Sequence, residues 1–222
     1  VAPSDAEFSR LDPSAQGSCL KADLAGHGII SSLEPLKAEL TCNGELMPVA
    51  RWPNSGFVQT TLAEDNITFG YADPRPERWL AASEAYAMGY WMHGWASRIE
   101  KIAGIDTQNK KITLARSPGY GIAAKKSYYV LNLLEEIDRP GEWYLDSQRG
   151  VLYIWPPEGF ETSDLQLSSL AAPLISIKGA SHIRIEALTI ETGASRGIEI
   201  SGDDNLVSRC TIRNLRTDGI TI

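Results

Sequence analysis

Ile175-Ser176-Ile177, Ile198-Glu199-Ile200 and Ile220-Thr221-Ile222 are three versions of one apolar-polar-apolar triplet, and their spacing decides the fold. They recur every 22 or 23 residues. Between them, Ile183, Ile185, Leu188 and Ile190 are echoed by Leu206, Val207, Cys210 and Ile212. The dipeptide Gly197-Ile198 returns as Gly219-Ile220. A repeat of this length marks a solenoid, in which each repeat is one structural unit stacked on the last. Three short strands with their corners use roughly 20 to 25 residues. Alternation sends two side chains of each triplet inward and one outward. Asn205 and Asn214 suit corners, where Asn tolerates a left-handed backbone or stacks on its neighbour in the next turn. A leucine-rich repeat shares the period, but its Leu-x-x-Leu-x-Leu pattern and its helix are missing. The expected fold class is therefore all-β, with residues 171–222 forming the opening coils of a right-handed parallel β-helix that the chain leaves unfinished. Ile177, Ile200 and Ile222 are expected to stack as one inward ladder, and Ile190 and Ile212 as another.

Residues 1–170 read as a β-rich module with one or two short helices. Strand-like runs are Ser18–Leu24, Ala38–Cys42, Lys111–Leu114, Ser127–Leu131, Trp143–Leu145 and Val151–Trp155. Asn43-Gly44 is a hairpin signal, and Arg149-Gly150 after Asp146 is another. One helix is expected near Arg75–Ala85, with Pro74 and Pro76 at its start. A second is expected at Asn132–Ile137, with Asn132 as its cap. Pro156-Pro157-Glu158-Gly159 reads as a linker or chain reversal, which places the domain boundary near 160–172.

Composition narrows the partners. The chain carries 43% hydrophobic and 22% charged residues and a net charge of −7, the profile of a soluble globular protein. Nucleic acid is excluded as an expected partner, because a phosphate-binding face needs clustered Lys and Arg. Lys110-Lys111 and Lys125-Lys126 are isolated pairs beside apolar residues. No run of 18 apolar residues spans a membrane, and Val1–Asp5 lacks the features of a signal peptide. Cys19, Cys42 and Cys210 form no CxxC motif. Cys210 reads as a small core residue, and Cys19 and Cys42 could pair if the chain is exported.

The stretch Ala50-Arg51-Trp52-Pro53-Asn54 with Gly56-Phe57, preceded by Asn43-Gly44, resembles bacterial right-handed β-helix proteins. So do Tyr128–Glu136, Pro140–Asp146 and Gly150–Tyr153. Many such proteins are carbohydrate-active, as glycoside hydrolases or polysaccharide lyases. The resemblance covers nearly the whole chain, and its motifs specify architecture more than reaction. It implies a fragment of a larger secreted or periplasmic enzyme, most plausibly a glycoside hydrolase. The lyase and a non-catalytic glycan-binding or adhesion β-helix stand as alternatives. It implies a polysaccharide or oligosaccharide partner, no cofactor, and calcium only if the protein is a lyase. The unfinished β-helix end would also permit self-association.

Glycan hydrolysis needs two carboxylates at a set separation, and the repeat offers Asp203-Asp204 and, further on, Asp218. Ser201–Asn205 also reads simply as a polar turn, and Asp218 as a turn residue before Gly219. These three are the catalytic candidates. Arg51, Trp91, His93 and Trp95 are the substrate-binding candidates. Arg51 would take an acidic sugar by a bidentate pair, or else pair with a buried carboxylate and stack on Trp52. The run Gly89–Trp95 would present a sugar-stacking face, or else fill the core. His182 and His27 read as loop residues. No metal-ligand cluster, phosphate loop or nucleophile elbow is visible.

Overall fold

The computed structural model describes residues 1–28 and 34–222. Their regular structure is strands joined by short 3₁₀ turns. In chain order the strands open with β1 (Leu20–Asp23), β2 (Glu39–Cys42), β3 (Glu45–Leu46), β4 (Arg51–Trp52), β5 (Val58–Gln59) and β6 (Thr68–Gly70). They continue with β7 (Tyr86–Gly89), β8 (Arg98–Asp106), β9 (Lys111–Leu114), β10 (Ser127–Leu131), β11 (Trp143–Asp146), β12 (Val151–Ile154) and β13 (Leu165–Ser168). The last are β14 (Ile175–Ile177), β15 (Arg184–Glu186), β16 (Thr189–Gly193), β17 (Ile198–Ile200), β18 (Leu206–Ser208), β19 (Thr211–Leu215) and β20 (Ile220–Thr221). The chain divides into two compact units with interleaved segments. The first takes Val1–Ala22, Val49–Asp146 and Leu152–Pro156, and the second takes Asp23–Pro48, Ser147–Val151 and Pro157–Ile222.

The first unit is built on a sheet in the order β4-β10-β7-β8-β9-β6, with β5 also on β10, and on a smaller sheet β1-β12-β11. The pairings of β10 with β4, β5 and β7, of β8 with β7 and β9, and of β6 with β9 are antiparallel. Alternation sorts its side chains. On β10, Tyr128 and Val130 are buried and Tyr129 is not; on β7, Ala87 and Gly89 are buried and Met88 is not. The buried face packs Phe69, Tyr71, Trp79, Trp91, Ile112, Leu114 and Tyr128 into one cluster. Phe69 and Tyr128 meet edge-on at 4.9 Å, and Trp91 stacks on Tyr128 at 6.2 Å. Such pairs add about 0.5–1.5 kcal/mol each beyond area burial.

Neither expected helix forms. Arg75–Trp79 and Leu134–Glu136 are 3₁₀ turns, too short to repay helix nucleation. Asn132 does not cap the second. It sits in the left-handed region at φ 59°, buried, donating to the Glu84 and Leu145 carbonyls while its Oδ1 accepts from the Leu145 amide.

In the second unit, β2 and β3 form the expected hairpin. Asn43 and Gly44 both have positive φ, 51° and 76°, and Thr41 faces Leu46. β13 pairs antiparallel on the far side of β2. The remaining strands form three parallel ladders: β14-β17-β20, β15-β18 and β16-β19. Ile175 pairs with Ile198 and Ile198 with Ile220; Ile185 pairs with Val207 and Ile190 with Ile212. The corners repeat as well. His182 and Asp204, Ala187 and Arg209, and Thr192 and Asn214 are pairs of left-handed residues one repeat apart. Polar side chains tie successive passes together. Asn205 Oδ1 accepts from the Ile183 amide at 2.9 Å, Asn205 Nδ2 donates to the Ala180 carbonyl at 2.8 Å, and Arg213 meets Glu191 at 2.6 Å.

Two details of the repeat differ from expectation. The register pairs Arg184 with Leu206, so Ile183 and Leu206 are not equivalent, and both are exposed. Ile200 is buried among Ile185, Ile190 and Ile198, with Ile177 packed against them. Ile222 lies past β20 and is fully exposed, so it fills no rung of the ladder. All three cysteines are free thiols, which removes the Cys19–Cys42 pairing. Burial pushes the Cys19 thiol up to about 11.

Candidate functional site

The aromatic run after β7 is divided between core and surface. Trp91 points into the core, 2% exposed, and its Nε1 donates to the Arg98 carbonyl at 2.9 Å. It is a core residue, not a sugar-stacking one. The same hydrogen bond closes the base of the loop between β7 and β8, which lifts His93 and Trp95 into solvent. Trp95 is 73% exposed and lies flat against His93, with centroids 5.4 Å apart and an interplanar angle of 7°. Tyr120, 60% exposed, stands edge-on to both at 5.3 and 5.5 Å. Gly121 beside it has φ 80°, a backbone that favours glycine, and a Cβ there would press on Asn66 Oδ1. The structure thus brings His93 and Trp95 together and adds Tyr120, whose Gly119-Tyr120-Gly121 setting was its only signal in the sequence.

The two loops that carry these rings also line an open groove of about 660 Å³. Its floor is the outward row Tyr129-Met88-Ile99, in register across β10, β7 and β8. Ser97 and Arg98 line it from one loop, and Arg116, Ser117, Pro118 and Gly119 from the other. Arg116 Nε donates to the buried Glu100 carboxylate at 2.5 Å. Phe57 lies against Tyr129 and Tyr90 at 5.6 and 5.8 Å.

Arg51 bonds within the chain, but to other partners than expected. Its Nε and Nη2 donate to the Pro53 and Gly56 carbonyls at 2.8 and 2.6 Å, and its guanidinium covers the Tyr129 ring at 3.6 Å. Among the described residues neither a carboxylate nor Trp52 is its partner; the half-buried Trp52 packs edge-on to Trp79 at 5.6 Å.

The aspartates occupy separate corners of the second unit. Asp203 and Asp204 lie in the β17–β18 turn, where the exposed Asp204 carboxylate is 3.7 Å from His182 Nδ1. Asp218 precedes β20 and pairs with Arg196 at 3.2 Å. Two buried carboxylates in the first unit are pushed upward by burial, Glu136 and Glu142, a feature that marks functional sites in many enzymes. Here each is committed. Glu136 accepts three hydrogen bonds from Arg75 and one from Trp79 Nε1 at 2.6 Å. Glu142 accepts from Arg139 Nε and from the Asp138 and Arg139 amides. Asn54 ties into this network through Asp138 at 2.7 Å, so the Arg51–Asn54 stretch is a structural clasp. Among the described residues no three His, Cys, Asp or Glu side chains gather as a metal site.

A solved structure shares this fold. It is described as a glycoside hydrolase, with a TM-score of 0.58 and 20% identity over 80% of this chain and 34% of its own. The chain thus spans about a third of that protein's length. No family model and no curated protein matches the chain. At this identity the likeness concerns the fold: an all-β chain whose architectural neighbour is a carbohydrate-active protein. Among the described residues, no helix is long and apolar enough to cross a membrane.

Proposed function

We propose that this chain is the glycan-recognising portion of a carbohydrate-active protein of the right-handed parallel β-helix type, most simply a secreted or periplasmic glycoside hydrolase. In this reading β14–β20 are its first coils, and its catalytic carboxylates lie outside residues 1–222. The reading is carried by the parallel ladders at a 22- or 23-residue offset on a chain whose fold matches a glycoside hydrolase. The exposed rings His93, Trp95 and Tyr120 agree with it, since flat aromatic faces bind the C–H faces of sugars. A non-catalytic adhesion module is the second reading. It is favoured by the commitment of Glu136 and Glu142 to arginines and by the placement of Asp203, Asp204 and Asp218 in turns.

Affinity electrophoresis of the chain through gels containing plant and algal polysaccharides tests recognition. Retardation by at least one glycan, lost on Trp95→Ala, is the expected result. Mobility unchanged in every gel rejects the reading. Reducing ends released by the longer protein, with no unsaturated ultraviolet-absorbing product, would separate hydrolase from lyase; release of none would favour adhesion.

A further inference from the structure

We propose that the groove over β10, β7 and β8 is a binding site for an acidic oligosaccharide, with Trp95 as its stacking platform and Arg98 and Arg116 as its anion-reading side chains. This deepens the carbohydrate reading and rests on it.

The argument begins with charge. The chain carries a net charge of −7, yet two arginines line this groove. Arg98 is exposed and makes no side-chain ion pair or hydrogen bond among the described residues. Arg116 uses only its Nε, on Glu100, and its Nη groups are left unbonded there. Elsewhere arginines are consumed: Arg75 by Glu136, Arg139 by Glu142, Arg196 by Asp218 and Arg213 by Glu191. Among the described residues Glu100 is the one carboxylate lining the groove, and it is buried and already bonded to Arg116. An incoming anion therefore meets guanidinium donors and no competing exposed carboxylate. Guanidinium forks suit planar carboxylates and sulfate oxygens, by charge-assisted and often bidentate bonds.

Shape then selects the rest of the ligand. The floor row Tyr129-Met88-Ile99 is apolar, and the volume falls within the usual range for small-ligand sites. Trp95 and Tyr120 are large exposed rings; the loop of Trp95 is pinned at its base by the bond from Trp91 to the Arg98 carbonyl, and Gly121 beside Tyr120 takes φ 80°. Ring faces plus unpaired guanidinium groups match a polymer that alternates C–H faces with anionic substituents. A nucleic acid would demand a far denser basic surface than two arginines.

Isothermal titration of the 222-residue chain tests this with three probes: homogalacturonan oligosaccharides, the same oligosaccharides fully methyl-esterified, and oligosaccharides of a sulfated galactan. The acidic probe should bind about tenfold more tightly than its ester, with affinity falling as salt rises. If the sulfated probe binds as well, the site reads anionic charge in general; if it does not, the site reads carboxylates. Either result supports the proposal. Arg98→Ala should remove most of the preference for the acid while leaving ester binding within about twofold, and Arg98→Lys should restore part of it. Trp95→Ala should weaken all probes about tenfold. Both side chains are exposed, so the variants should keep the wild-type Tm. Equal binding of acid and ester, or an unchanged preference in Arg98→Ala, overturns the acidic site while leaving the carbohydrate reading in place. Failure of every probe and of the wider glycan panel overturns both.

Discussion

Asn132 shows how much one side chain can hold when the backbone turns where no glycine is available. It is left-handed and buried, and it makes three hydrogen bonds to the backbone of Glu84 and Leu145. Asn132→Ala keeps the unfavourable φ and orphans those groups, each costing about 1–3 kcal/mol when buried without a partner. A loss of about 3 kcal/mol or more is expected in urea unfolding, and a change below 1 kcal/mol would contradict this account. Glu136 gives a second test, this time in pH. Burial raises its carboxyl above the ordinary 4.5, outweighing Arg75 and Trp79. A raised folded value means that the contribution of this group is complete below about 4.5 and is lost as pH rises through the folded value. The Tm of the wild type should therefore fall across that window relative to Glu136→Gln; parallel curves for the two proteins would show that the carboxyl stays charged throughout. In the sequence Glu135-Glu136 fall inside the expected second helix, Asn132–Ile137. Glu136 is partnered by Arg75 and Trp79, some sixty positions earlier, and Glu135 by Arg10, further still, partnerships that no local pattern displays.

At the scale of strands and turns, the chain is most legible where contacts are periodic. The triplets at Ile175, Ile198 and Ile220 could be paired from the sequence because each rung repeats the last, and the parallel registers follow the same offset. The Asn43-Gly44 hairpin was legible because a two-residue loop of type I′ needs positive φ at both positions, which Asn and Gly tolerate. Helices were overread at Arg75 and Asn132, where composition favoured a helix but side chains were drawn to distant partners. The aromatic run Tyr86–Trp95 could not be divided into core and surface without knowing where β7 ends, because alternation stops at Trp91 and the following loop obeys no period. The corners carry their own prediction. Gly202 has φ 124°, and a Cβ there would collide with the Ala180 carbonyl of the previous pass. Gly202→Ala should cost about 3 kcal/mol and lower hydrogen-exchange protection at the Ser201 and Leu206 amides, which bond to Ile177 and Ile183. Ile200→Asp, which buries an unpaired charge, should abolish that protection altogether. Protection unchanged in both variants would mean that the passes do not depend on each other.

Across the whole chain, the two units are woven from segments far apart in sequence, and this is where periodicity stops helping. β2 joins β13 across more than a hundred residues, with Cys42 facing Leu165, and antiparallel pairings of that range leave no signature in local composition. The candidate site was legible in the same partial way: His93 and Trp95 were visible as exposed-ring candidates, whereas Tyr120, Arg98 and Arg116 were assembled around them only by folding. Catalysis is the remaining question at this scale. Retaining hydrolysis needs two carboxyl groups about 5–5.5 Å apart and inverting hydrolysis about 6.5–9.5 Å, one of them held protonated. In the first unit the buried carboxyls pushed upward by their surroundings, Glu136 and Glu142, have no free face for a sugar, because arginine, indole and backbone donors surround them. The candidate carboxyls Asp203, Asp204 and Asp218 sit in exposed corners; Asp204 lies near His182, and Asp218 is held by Arg196. A parallel ladder of three strands is about 10 Å tall at roughly 4.8 Å per strand, enough for a pair of carboxyls but short for a polymer lying across it. The 222-residue chain is therefore expected to bind glycans and release no new reducing ends from them. The measurement is a reducing-end assay over the polysaccharides that retard it in gels, run beside Asp204→Asn and Asp218→Asn. Turnover by the wild-type chain that disappears in either variant would place the catalytic pair in these corners and reverse the assignment of catalysis to residues outside this chain.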